Sequence, residues 1–113
     1  MDTMPDDNPL EVDLETFAAA HAAGAAVLDV RNLDEYESAH VPGAVLIPLR
    51  ELAERQDEIP DADPLYVICA VGARSLSAAN ALARAGYNAL SVAGGTNGWI
   101  ERGGESVVGA DPR

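Results

Sequence analysis

Along the chain, short apolar runs alternate with stretches whose apolar residues recur at helical spacing, the pattern of strands joined by crossover helices into a parallel sheet. Asp13 stands as the cap of a first helix with Leu14, Phe17, Ala18 and His21 on one face. Gly24 stops that helix by entering the left-handed region. Ala25–Val30 follows as a buried strand. Asn32, with Glu35 three residues on, predicts a capped short helix through Ser38; Pro42 and Gly43 then punctuate the chain before a strand over Ala44–Ile47. After Pro48, Arg50–Asp57 reads as a charged helix closed by Pro60, and Asp61–Pro64 as a turn. Leu65–Cys69 is the most strand-like run. Leu76, Ala79, Leu82 and Ala83 repeat at helical spacing within Ser75–Ala85, and Gly86 ends that helix. Ala89–Val92 is a further strand, Gly94-Gly95 a turn, and Thr96–Arg102 a last short helix that carries Trp99. The expectation is an α/β layer fold in one domain over residues 10–108, with a flexible tail over 1–9 and a short one over 109–113.

A length of 113 residues with 48% apolar composition supports one packed core and excludes disorder of the whole chain. The formal charge of -12 repels phosphate backbones and anionic head groups, which argues against nucleic-acid and membrane-surface roles. No apolar run approaches the ~20 residues of a membrane span, and the acidic start resembles no secretory signal, so a cytoplasmic protein is expected. Cys69 is the single cysteine, which excludes an internal disulfide and a cysteine-cluster metal site; His21 and His40 are too few and too separated for a ligand set. Cys69 is then either a small core hydrophobe or a reactive thiol.

In an open parallel sheet, ligands bind beyond the carboxyl ends of strands, and Cys69 lies at such an end, with its loop running into a helix N-terminus. The segment Cys69-Ala70-Val71-Gly72-Ala73-Arg74-Ser75 has small residues that let the backbone curl, so that successive N–H groups can point at one anion above the sulfur. Those amides, the helix dipole and the Arg74 guanidinium favour thiolate over thiol, and a free cysteine of pKa ~8.5 falls toward neutrality in such surroundings. The nucleophile would need no base, and neither histidine is assigned to it by spacing.

Four blocks then resemble one family, the rhodanese-like single-domain sulfurtransferases, over about Leu10 to Gly104. They are Asp29-Val30-Arg31 with Glu35-Tyr36; Ala39-His40-Val41-Pro42-Gly43-Ala44 with Ile47-Pro48; Cys69 to Ser75; and Gly94-Gly95-Thr96-Asn97-Gly98-Trp99. The resemblance implies a three-layer domain with a mainly parallel sheet of about five strands and helices on both faces. It also implies a transfer cycle in which the Cys69 thiolate takes a sulfane sulfur from thiosulfate or a persulfide and passes it to a thiol, to cyanide or to a protein sulfur carrier. Neither a metal nor an organic cofactor is needed. Ala70, Val71, Gly72, Ala73, Arg74 and Ser75 would form the substrate cradle, with Arg74 holding an oxyanion or bracing the loop through backbone carbonyls. Only Ala70 to Ala73 separate Cys69 from Arg74, a tighter ring than the phosphatase-type loop that wraps a tetrahedral phosphate.

Simpler roles compete at several positions. His40 beside Val41-Pro42-Gly43 is expected to tie down a turn, and His21 to stay outside the chemistry. Asp29 and Arg31, at the end of a central strand, need each other or nearby backbone as partners and read as scaffold, with Arg31 near the pocket as the other reading. Trp99 plugs the core. Because Ala70 and Ala73 bring no charge, the competing function is a rhodanese-like binding or sensing module without efficient turnover.

Overall fold

The computed structural model describes residues 9–113, so the tail expected over 1–9 lies, apart from Pro9, outside the described residues. Five strands form one parallel sheet: β1 (Glu11–Val12), β2 (Val27–Asp29), β3 (Val45–Leu46), β4 (Leu65–Ile68) and β5 (Ala89–Val92), in the order β1-β5-β4-β2-β3. Between and after them run α1 (Leu14–Ala22), α2 (Leu33–Ser38), α3 (Ala73–Arg84) and α4 (Gly95–Glu101). The expected α/β fold is the observed one.

Residues alternate across the central strand, and this alternation builds two cores. Leu65, Val67 and Cys69 face Ala78, Ala79 and Leu82 of α3, together with Leu52 and Ile59. Tyr66 and Ile68 face the opposite way, toward Phe17 of α1, Tyr36 of α2 and Trp99 of α4. Trp99 meets Phe17 edge-on with ring centroids 5.3 Å apart, and its indole N–H donates to the Glu105 carbonyl at 2.7 Å. Helices thus cover both faces of the sheet.

The local signals mostly act where they stand. Asp13 caps α1 by accepting from the Thr16 N–H at 2.8 Å, and Gly24, at φ +95°, follows that helix. The Glu35 carboxylate accepts from the Asn32 N–H at 3.0 Å, the reciprocal arm of the expected cap on α2.

Three features depart from the sequence reading. The helix expected over Arg50–Asp57 is two 3-10 turns, Leu49–Glu51 and Gln56–Glu58, because only Leu52 and Ile59 bury against the sheet and a continuous α-helix would have no apolar stripe to dock. Strand β1 has no counterpart in the sequence pattern: two half-buried residues make no periodicity, and the strand exists because β5 offers an edge, with Ala93 N–H donating to the Val12 carbonyl at 2.9 Å. Residues 109–113, expected as a tail, are partly tied down: Gly109 N–H donates to the Glu37 carbonyl and Gly43 N–H to the Pro112 carbonyl, each at 2.8 Å.

Candidate active site

Strand β4 ends at Ile68 and α3 begins at Ala73, so the chain must reverse its hydrogen-bonding direction within residues 69–72. Gly72 makes this possible at φ +115°, a left-handed value that side-chain-bearing residues avoid. From there its N–H points back at Cys69 Sγ, 3.1 Å away, and the Ser75 N–H reaches the same sulfur at 3.3 Å. The Ser75 hydroxyl lies 3.4 Å from it. Two backbone amides and one hydroxyl therefore converge on a sulfur that sits at the positive end of α3.

The other half of the loop's backbone is held from below. Thr96 N–H donates to the Cys69 carbonyl at 2.8 Å and Asn97 N–H to the Ala70 carbonyl at 3.1 Å, so the first turn of α4 holds both oxygens on its side of the loop. This approach requires glycine at 95: its φ is +61°, and a Cβ there would stand 2.5 Å from both carbonyl oxygens. Gly94-Gly95 is more than the expected turn. It is the seat on which the Cys69 loop rests.

Burial pushes the Cys69 thiol up, but hydrogen bonds from the Ser75 hydroxyl, the Ser75 N–H, the Gly72 N–H and the Val71 N–H outweigh it, and the net shift is downward. Cys69 itself is only 1% exposed, whereas Val71 at the lip of the loop is 63% exposed. Among the described residues, neither the Ala73 nor the Arg74 N–H has a protein acceptor, so both first-turn donors are free for a group arriving above the sulfur.

Arg74 is placed differently from either expectation. Both terminal guanidinium nitrogens donate to the Glu35 carboxylate at 2.8 Å, a bidentate pair that links α3 to α2, rather than clamping an anion or bracing loop carbonyls. The Arg74 guanidinium holds the Glu35 carboxyl at about 2. Since Ala70 and Ala73 are uncharged, the loop itself offers no free cation.

Asp29 and Arg31 form a second, fully buried pair. Arg31 Nη2 donates to Asp29 at 2.8 Å and to the Ala39 carbonyl at 2.8 Å, while the Arg31 N–H donates to the same carboxylate at 3.0 Å. The Asp29 contacts fix the guanidinium at the end of β2, and the Ala39 contact ties it to the segment after α2. The His40 ring stacks on Tyr36 at 3.7 Å, with Nδ1 2.8 Å from the Tyr36 carbonyl and Nε2 3.2 Å from the Pro112 carbonyl. His21 Nε2 donates to the Pro42 carbonyl at 2.8 Å. Among the described residues, neither histidine hydrogen-bonds to the Cys69 loop, and the structure brings only residues 69–75 of the expected site residues around the sulfur.

Sequence reading missed two contributors. Glu35 carried a capping signal but no sign that it would also fix Arg74; the α4 amides were concealed behind a glycine pair read as a turn. Behind the cradle, Ser91, a polar residue inside a buried strand, lies 2.8 Å from Ser75 Oγ.

The family model described as the rhodanese-like domain matches residues 13–102. A rhodanese-related protein from Thermoplasma volcanium superposes with a TM-score of 0.80 at 32% identity, covering 87% of this chain and 97% of that one. A thiosulfate sulfurtransferase from Pseudomonas aeruginosa is 30% identical with a TM-score of 0.75; the match covers 88% of this chain but 20% of that longer protein. No curated protein matches the chain at a significant level. Among the described residues, no helix is long and apolar enough to cross a membrane.

Proposed function

Since the chain belongs to the rhodanese-like domain family, we propose that it is a sulfurtransferase that carries a sulfane sulfur on Cys69. The observation that carries this reading is the convergence of the Gly72 and Ser75 N–H groups on Sγ. In the first half-reaction the Cys69 thiolate attacks the outer sulfur of a donor. A new S–S bond forms at Sγ, the donor's own S–S bond breaks, and its electron pair leaves as sulfite from thiosulfate or as a thiolate from a persulfide. In the second, cyanide or an acceptor thiolate attacks the outer sulfur of the Cys69 persulfide, and the electron pair returns to Sγ. The same amides stabilise the sulfur charge at both ends of the cycle, and the free Ala73 and Arg74 N–H groups suit the negative outer sulfur of the intermediate.

Charge favours one donor class. Arg74 is occupied by Glu35, the loop has no other cation, and the whole chain carries -12, so a persulfide or a protein sulfur carrier suits the site better than dianionic thiosulfate. A cytoplasmic setting, where thiols stay reduced, fits a lone thiolate with no resolving partner. The competing reading, a binding module without turnover, draws on the 1% exposure of Cys69.

Intact mass measured after incubation with an organic persulfide separates the two. The sulfurtransferase gains one sulfur, loses it to cyanide, and the Cys69→Ser variant gains none. Failure of the wild-type protein to take up sulfur from any donor leaves the binding module.

A further inference from the structure

Ser91 has no place in the cradle as described, yet it is fully buried on β5 with its hydroxyl 2.8 Å from Ser75 Oγ. It lies on the face of the sheet that packs α3, two residues from buried Ala89 and beside Val67 in the register. A hydroxyl there costs desolvation unless it is hydrogen-bonded. Among the described residues, Ser75 Oγ is the one protein group within hydrogen-bond reach of the Ser91 hydroxyl. The hydrogen of Ser91 is therefore satisfied only by pointing at Ser75, which makes Ser91 the donor and Ser75 the acceptor.

That direction decides what Ser75 does with its own single hydrogen. Two acceptors remain for it, the Gly72 carbonyl at 3.2 Å and Cys69 Sγ at 3.4 Å. While the sulfur is a thiol, its S–H donates to Ser75 Oγ and the Ser75 hydroxyl turns to the Gly72 carbonyl. Once the sulfur is ionised, a charge-assisted bond outweighs a neutral one and the Ser75 hydroxyl swings onto Sγ. In that state Ser91 donates to Ser75 and Ser75 donates to the sulfur, two bonds in series that polarise each other.

We propose that Ser91 is a positioning residue for sulfur transfer, acting through Ser75 to favour the Cys69 thiolate both as attacking group and as the group released when the acceptor removes the outer sulfur. The second role rests on the sulfurtransferase reading; the first does not. In the release step the acceptor thiolate bonds to the outer sulfur, the bond between that sulfur and Sγ breaks, and the electron pair arrives on Sγ as Ser75 turns to meet it. The charged groups around the loop are already committed, Arg74 to Glu35 and Arg31 to Asp29. Strand β5 and the first turn of α4 carry no titratable residue. The relay is thus the adjustable contribution on that side of the sulfur.

The test is the pH dependence of Cys69 alkylation by iodoacetamide in wild type, Ser91→Ala, Ser75→Ala, the double variant and Ser91→Thr, with circular dichroism to establish folding. Ser91→Ala should shift the alkylation midpoint upward and slow the reaction at fixed pH about threefold, Ser75→Ala should slow it about tenfold, and Ser91→Thr should restore the wild-type profile. In the Ser75→Ala background the Ser91 change should add nothing, because its route to the sulfur is gone. An unshifted midpoint in folded Ser91→Ala, or effects of the two serines that simply add, would overturn the proposal. Alkylation needs no sulfur donor, so absence of persulfide formation by the wild type would refute the sulfurtransferase reading while leaving this result readable.

Discussion

Substituting Gly95 by alanine tests whether the Cys69 loop depends on its seat. Two costs can be separated. The first is the backbone value φ +61°, which an alanine occupies at ~1–2 kcal/mol. Gly86, at φ +99°, carries a positive-φ cost of its own that is no smaller, and it has nothing within 4 Å of an added Cβ, so Gly86→Ala measures a backbone cost without a clash. The second cost is specific to Gly95, where the new Cβ would lie 2.5 Å from the Cys69 and Ala70 carbonyl oxygens, about 1 Å inside ordinary contact. Both oxygens are backbone, so relief means moving the loop and lengthening the bonds from Thr96 and Asn97 N–H, each ~1 kcal/mol net and more when the buried group is left unpaired. The sum is ~3–5 kcal/mol for Gly95→Ala against ~1–2 kcal/mol for Gly86→Ala. Urea unfolding measures both. In folded Gly95→Ala the Cys69 thiol should also move up, since displaced carbonyls take the Gly72 and Ser75 amides with them. Equal destabilisation by the two substitutions, with unchanged Cys69 alkylation, would show that the loop does not depend on the α4 turn beneath it.

Glu35→Gln should destabilise the protein by ~1 kcal/mol at neutral pH, a figure discounted for a pair whose side chains are 31% and 37% exposed. Because the folded-state value is depressed from 4.5 to about 2, that stabilisation is present above pH 4.5 and lost as pH falls toward 2, so unfolding curves of the two proteins should converge there. Asp29→Ala should cost ~3–5 kcal/mol by leaving the buried Arg31 charge uncompensated, and adding Arg31→Met should recover part of that loss in thermal unfolding. Tyr36→Phe removes the hydroxyl that donates to the Ala44 carbonyl and should cost ~1–3 kcal/mol in urea unfolding. The same variant should abolish the tyrosine absorbance step that burial pushes up to about 12.

Where a sequence signal acts within its own turn of chain, it survives into the structure. Asp13 caps α1, Gly24 and Gly86 take left-handed values after their helices, and the apolar run before Cys69 becomes the central strand with the sulfur at its carboxyl end. What escaped depends on partners distant in the chain. Arg74 is 39 residues from Glu35, and no local pattern shows that the two meet. The α4 amides meet the Cys69 loop only because β5 lies beside β4, a fact of sheet order. The charged stretch after Pro48 had helical composition, but packing against the sheet decided its form.

The sulfur-carrying role requires that the folded loop hold Cys69 ionised more readily than the unfolded chain does. Iodoacetamide alkylation of the wild-type protein across a pH series, native and in denaturing urea, measures this directly with one cysteine and no competing thiol. The native midpoint should lie below the unfolded one. A native midpoint at or above the unfolded value would mean that burial defeats the amides, and the sulfur-carrying role would lose its physical basis.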